Sequence, residues 1–66
     1  MQYIIDGIEY IDTNEAARRL GLSARTLINQ RSENRSRMKF IRHGGKVYYS
    51  VFEVERYRRE LEREGR

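Results

Sequence analysis

The 66-residue chain has no cysteine and one histidine, which excludes a disulfide staple or a thiolate metal site and argues against an all-imidazole one. One domain of this length buries roughly 60% of the surface its unfolded form exposes, so its core must come from apolar packing alone. The net charge of +4 is uneven: residues 1–22 carry Arg18 and Arg19 against Asp6, Glu9, Asp12 and Glu15, residues 23–46 carry seven basic side chains against Glu33, and residues 47–66 balance. A basic middle third between neutral or acidic flanks points to a polyanionic partner. No apolar run is long enough to span a bilayer, and the N-terminus lacks the basic and apolar regions of a signal peptide. A soluble cytoplasmic protein is the expectation.

Residues 3–11, YIIDGIEYI, are two β-branched and aromatic runs joined by Asp6-Gly7. That dipeptide suits a type I′ turn, which needs positive φ at both central residues, so the spacing predicts a hairpin. Thr13 stands where a helix N-cap is expected, with Glu15 in the first turn to complement the dipole. Ala16, Ala17 and Leu20 follow at helical spacing, and Gly21 supplies the left-handed stop. After a linker of about three residues, Ser23 caps a second helix predicted over Ala24–Ser32, a helix-turn-helix spacing.

At 100° per residue Leu27 points inward, Arg25, Asn29 and Ser32 lie on the opposite side, and Thr26 and Ile28 flank them. Residues 33–37 are polar and basic, and read as a loop. A second hairpin is predicted from strands over 39–42 and 46–49 around Gly44-Gly45. Its Tyr48 and Tyr49 alternate, so one is expected against the last helix and the other exposed. That helix opens on Ser50 and Glu53 with the spacing of a capping box. Either Val51 or Phe52, with Val54, Tyr57 and Leu61, forms its apolar stripe, and residues 62–66 are expected to fray. The whole, residues 1–66, reads as one α+β domain: a small winged helix-turn-helix with an N-terminal β-hairpin, two helices, a β-hairpin wing and a C-terminal helix.

A helix with one inward apolar residue and a polar outer face fits the B-DNA major groove. Arg25 suits the O6 and N7 of guanine, Asn29 the N6 and N7 of adenine, and Thr26 or Ile28 a thymine methyl, with Ser32 beside them. Ser23 and the first N–H groups of the helix are placed for a phosphate. The tip of the second hairpin, Arg42, His43, Gly44, Gly45 and Lys46, lets backbone approach a phosphate ridge or minor groove while its cations reach in. Arg35 and Arg37 in the loop join this basic set. With no partner histidine or local carboxylate, His43 is expected as an exposed wing residue, neither catalytic nor a metal ligand. No catalytic residue, metal or cofactor is expected, since the acids lie in the first third and on the last helix rather than clustered as a nuclease requires.

Residues 10–27, YIDTNEAARRLGLSARTL, resemble the opening of MerR-like and excisionase-type DNA-binding domains, and residues 40–61, FIRHGGKVYYSVFEVERYRREL, continue the likeness through wing and final helix. The likeness covers residues 8–61 and departs at Gln30, where the family usually has Trp or another large apolar residue. It implies a non-enzymatic excisionase of a phage or mobile element. Several copies would bind adjacent sites on double-stranded DNA, bend it, and help a site-specific recombinase assemble for excision. Bending costs of order 1–6 kcal/mol, and a module this size buries about 600–1,000 Å² on DNA, so cooperative arrays would supply specificity. A small repressor using the same surface is the main alternative, with a DNA-packaging adaptor or a protein-binding module further off.

Overall fold

The computed structural model describes residues 2–64. In chain order these form β1 (Gln2–Ile5), β2 (Ile8–Asp12), α1 (Thr13–Leu20), α2 (Ala24–Ser32), β3 (Ile41–His43), β4 (Lys46–Ser50) and α3 (Val51–Glu64). The strands make one antiparallel sheet in the order β1-β2-β4-β3, and the arrangement is a winged helix-turn-helix. Asp6 and Gly7 adopt φ of 53° and 78°, the double left-handed turn predicted for the first hairpin.

Helix α1 is capped one residue earlier than predicted. Asp12 ends β2 in an extended conformation, and its Oδ1 accepts the Glu15 N–H at 2.8 Å. Thr13 is therefore the first helical residue, and its hydroxyl is free for another partner. Gly21 closes the helix at φ 73°, with Leu22 N–H donating to the Ala17 carbonyl at 2.9 Å. Ser23 caps α2 as predicted, its Oγ accepting the Thr26 N–H at 3.2 Å.

The core gathers Ile11, Ala16, Ala17, Leu27, Met38, Tyr49, Val54 and Tyr57, with Val51, Phe40 and Leu61 packed at its margin. Leu27 is the one buried residue of α2. Val51 takes the inward position at the start of α3, leaving Phe52 75% exposed. Gln30, half-buried, accepts the Arg35 N–H on its backbone carbonyl at 2.7 Å, so the loop folds over the end of α2.

Tyr48 is buried as well as Tyr49, against the expectation of one exposed ring. The sheet joins the two hairpins through β2 and β4, which brings Tyr3 of β1 onto the far face of Tyr48 with ring centroids 4.8 Å apart. Desolvation raises the Tyr48 hydroxyl above its ordinary pKa, with Tyr3 adding to the effect. The wing's first strand begins at Ile41 rather than residue 39, because the Lys39 N–H goes to Glu53 Oε1 at 3.1 Å. That leaves half a capping box: Glu53 N–H donates to Ser50 Oγ at 3.1 Å, but the Glu53 carboxylate turns to Lys39 and Arg56. Helix α3 runs through Glu64, whose carboxylate accepts from Arg37 Nη2 at 3.0 Å. Residues 65 and 66 lie outside the described ones.

Candidate nucleic-acid interface

Short α2 presents one side to the core through Leu27 and the other to solvent. Arg25, Asn29 and Ser32 are exposed, Ile28 is 45% exposed and Thr26 is half-buried. Ser23 Oγ and Thr26 Oγ1 share a hydrogen bond of 3.0 Å, which orders the start of this surface. Thr26 and Asn29 also border an open groove of about 610 Å³ closed on its far side by Arg35, Ser36 and Arg37. In the wing, His43 faces Lys46 across a turn in which Gly44 and Gly45 take φ of 59° and 81°. A side chain at either glycine would meet no neighbour but would strain the backbone, so the glycines serve conformation and leave the tip bare. Arg42, His43 and Lys46 are exposed.

Ion pairing sorts the cations. Glu15 takes Arg18 at 2.7 Å and Arg19 at 3.0 Å, and these hydrogen bonds hold its carboxyl below the ordinary range. On α3, Arg56 bridges Glu53 and Glu60, and Arg58 bridges Glu55 and Glu62. Glu53 and Glu55 are likewise lowered, chiefly by their hydrogen bonds from Arg56 and Arg58. Exposed pairs of this kind add little stability, but they cancel charge locally. Arg25, Arg31, Lys39, Arg42 and Lys46 make no ion pair among the described residues. Arg59 and Arg63 are unpaired among these residues as well, but α3 sets five glutamates against its four arginines, so the excess positive charge lies chiefly on α2, the segment after it and the wing.

Two of the predicted basic contacts lie beside carboxylates. Arg37 lies 3.0 Å from Glu64 and 3.8 Å from Glu60, with its guanidinium 5.6 Å from the Tyr57 ring centre, so it braces α3 rather than joining the wing. Its pKa is raised, first by the Glu64 hydrogen bond. Arg35 remains exposed but sits 3.5 Å from Glu33.

Arg31 was not singled out by the sequence except as one charge among seven. Its Nη1 donates to Tyr49 Oη at 2.7 Å and to Thr13 Oγ1 at 3.4 Å, joining α2 to β4 and to the start of α1. Its guanidinium lies 5.7 Å from the Phe40 ring centre, and that of Arg42 lies 5.9 Å from the same ring. The one local signal was its place four residues after Leu27, on the core side of the helix.

A helix-turn-helix domain model matches residues 10–62, from β2 to the last turns of α3. The chain belongs to this helix-turn-helix domain family. Domains of the family bind DNA, and the match takes in both helices, the wing and the helix that supports them. No curated protein and no solved structure matches the chain. No helix of the described residues is long and apolar enough to cross a membrane.

Proposed function

We propose that this helix-turn-helix domain binds double-stranded DNA sequence-specifically and acts as a phage or mobile-element excisionase in the cytoplasm of a bacterial host. One observation carries the DNA-reading part: carboxylates pair Arg18 and Arg19 of α1 and outnumber the arginines of α3, while α2 and the wing keep Arg25, Arg42 and Lys46 unpaired. Helix α2 enters the major groove with Arg25, Thr26, Ile28 and Asn29 toward the bases. The Gly44-Gly45 tip follows the adjacent backbone or minor groove. The protein does no chemistry of its own; it bends the DNA and aids a recombinase.

Binding of several copies side by side is supported by an apolar hollow of about 570 Å³ whose lining includes Ile8, Tyr10, Phe40, Ile41 and the exposed Phe52. The strand register places it at the opposite end of the sheet from the wing tip. Phe52 stands beside the hollow it helps line, so a second copy offers a matching knob and hole. The patch is small beside the roughly 800 Å² per partner of a stable complex, which suits copies that meet only when DNA holds them together.

The test is to capture sheared DNA from the source organism on purified protein and sequence it. Clustered direct repeats beside a recombinase gene or attachment core are the expected result. A lone site over a promoter would make the protein a repressor using the same surface, and no enrichment at low salt would overturn the DNA reading.

A further inference from the structure

Beside α2, between the start of α1 and the wing, lies a second cleft of about 390 Å³ whose lining includes Asp12, Thr13, Asn14, Arg31, Arg42 and Lys46. Its charge is strongly positive. Three cations against Asp12 give +2, and the Asp12 Oδ1 is already occupied by the Glu15 N–H. Elsewhere a glutamate stands three or four residues from each arginine that the helices pair. Here Arg31 and Arg42 share one aromatic ring, Phe40, and have no carboxylate partner among the described residues. Holding three cations together against a single carboxylate is unfavourable unless a further anion enters between them.

Arg31 is also built for one kind of anion. Its bonds within the protein go to neutral hydroxyls, both through Nη1, which leaves the Nε and Nη2 donors without a hydrogen-bond partner among the described residues. Tyr49, which holds it, is 1% exposed and fixed in the core. A guanidinium braced in this way loses little freedom on binding, and its free fork matches two oxygens of a tetrahedral phosphate.

We propose that this cleft binds one phosphodiester of the DNA backbone, with Arg31 as the core-anchored contact and Arg42 and Lys46 closing over it from the wing. The proposal rests on the DNA-binding reading and goes beyond it by joining α1, α2 and the wing at one phosphate. Arg31 then sets the angle at which α2 meets the groove, because its position is fixed relative to both helices.

The experiment measures affinity and salt dependence on the DNA enriched in the capture test, for wild type, Arg31→Gln, Arg31→Lys and Lys46→Ala. Arg31→Gln should lose at least about tenfold in affinity on every sequence, as expected for a charged hydrogen bond. Its plot of log K against log salt should flatten by about 0.9, one phosphate's worth. Arg31→Lys should keep the slope and recover part of the affinity. Methylphosphonates placed singly along the site supply the phosphate-specific readout: at one position the neutral linkage should make wild type and Arg31→Gln equal. Should Arg31→Gln fail to fold by circular dichroism, Tyr49→Phe keeps the charge, removes the brace and should weaken binding with the slope intact. Wild-type slope and affinity in both Arg31 variants, with Lys46→Ala still impaired, would overturn the proposal and leave DNA binding standing. Wild-type binding that ignores salt would overturn the DNA reading itself.

Discussion

Salt offers the sharpest separation between counting charges and seeing where they sit. All seven basic residues of the middle third, each releasing a counterion, would give a slope of log K on log salt near −6.3. The structure removes three from that count. Arg37 is held by Glu60 and Glu64, Arg35 sits beside Glu33, and Arg25 lies on the face assigned to bases. Arg31, Lys39, Arg42 and Lys46 remain, and four phosphate contacts give a slope near −3.6. Between 50 and 200 mM salt the two values mean about 150-fold and about 6,000-fold loss of affinity. Fluorescence anisotropy with a labelled duplex, titrated at four or five salt concentrations, distinguishes them. A slope of about −5.4, six contacts' worth, would show that the glutamates release Arg35 and Arg37 on binding. A flat plot would refute the electrostatic reasoning altogether.

Asn29→Ala should weaken preferred sites by about 1–3 kcal/mol and leave non-specific duplexes unaffected, measured by competition between the two. Phe52→Ser should leave the melting temperature and single-site affinity close to wild type, since the ring is 75% exposed, while lowering cooperativity on a two-site duplex. Glu53 has a folded pKa lowered by Arg56 and the Lys39 N–H, so its stabilisation is present above the unfolded value near 4.5 and lost as pH falls through the folded value. Glu53→Gln should therefore melt below wild type at pH 7, with the gap narrowing at pH 3. An equal gap at both pH values would show that its charge is not what ties residue 39 to α3.

Where local chemistry decides, the sequence was legible. Asp6-Gly7, Gly21, Ser23 and Gly44-Gly45 each act through their own backbone needs, and each stands where it was placed. The departures arise where strand pairing or a tertiary contact sets a side chain's partner. Thr13 lost the cap to Asp12, whose carboxylate is brought into place by the end of a paired strand. Glu53 left the box for an N–H fourteen residues away. Tyr48 disappears beneath Tyr3 because β2 pairs with β4, a long-range choice that periodicity cannot report. Arg31 and Arg37 show the same limit within the site. Both are basic residues in a basic segment, yet one meets neutral hydroxyls and the other meets two glutamates.

That contrast puts the origin of the basic face in the placement of carboxylates rather than of arginines. Helix α3 carries Arg56, Arg58, Arg59 and Arg63, more cations than α2, but intersperses Glu53, Glu55, Glu60, Glu62 and Glu64. Helix α2 has no acid in its first turn, and Glu33 stands only at its C-cap. A carboxylate introduced at the right spacing should therefore silence the surface while the fold persists. Asn29→Glu puts one four residues after Arg25, the separation at which Arg56 meets Glu60. Such a pair changes helix stability by only about 0.2–0.5 kcal/mol, so melting should stay near wild type. Binding should weaken on all sequences, well beyond Asn29→Ala, because Arg25 is neutralised and a negative charge faces the phosphates. Affinity for non-specific DNA equal to that of Asn29→Ala would show that α2 does not lie against the backbone-lined groove. A selective loss confined to preferred sites would assign position 29 to base reading alone.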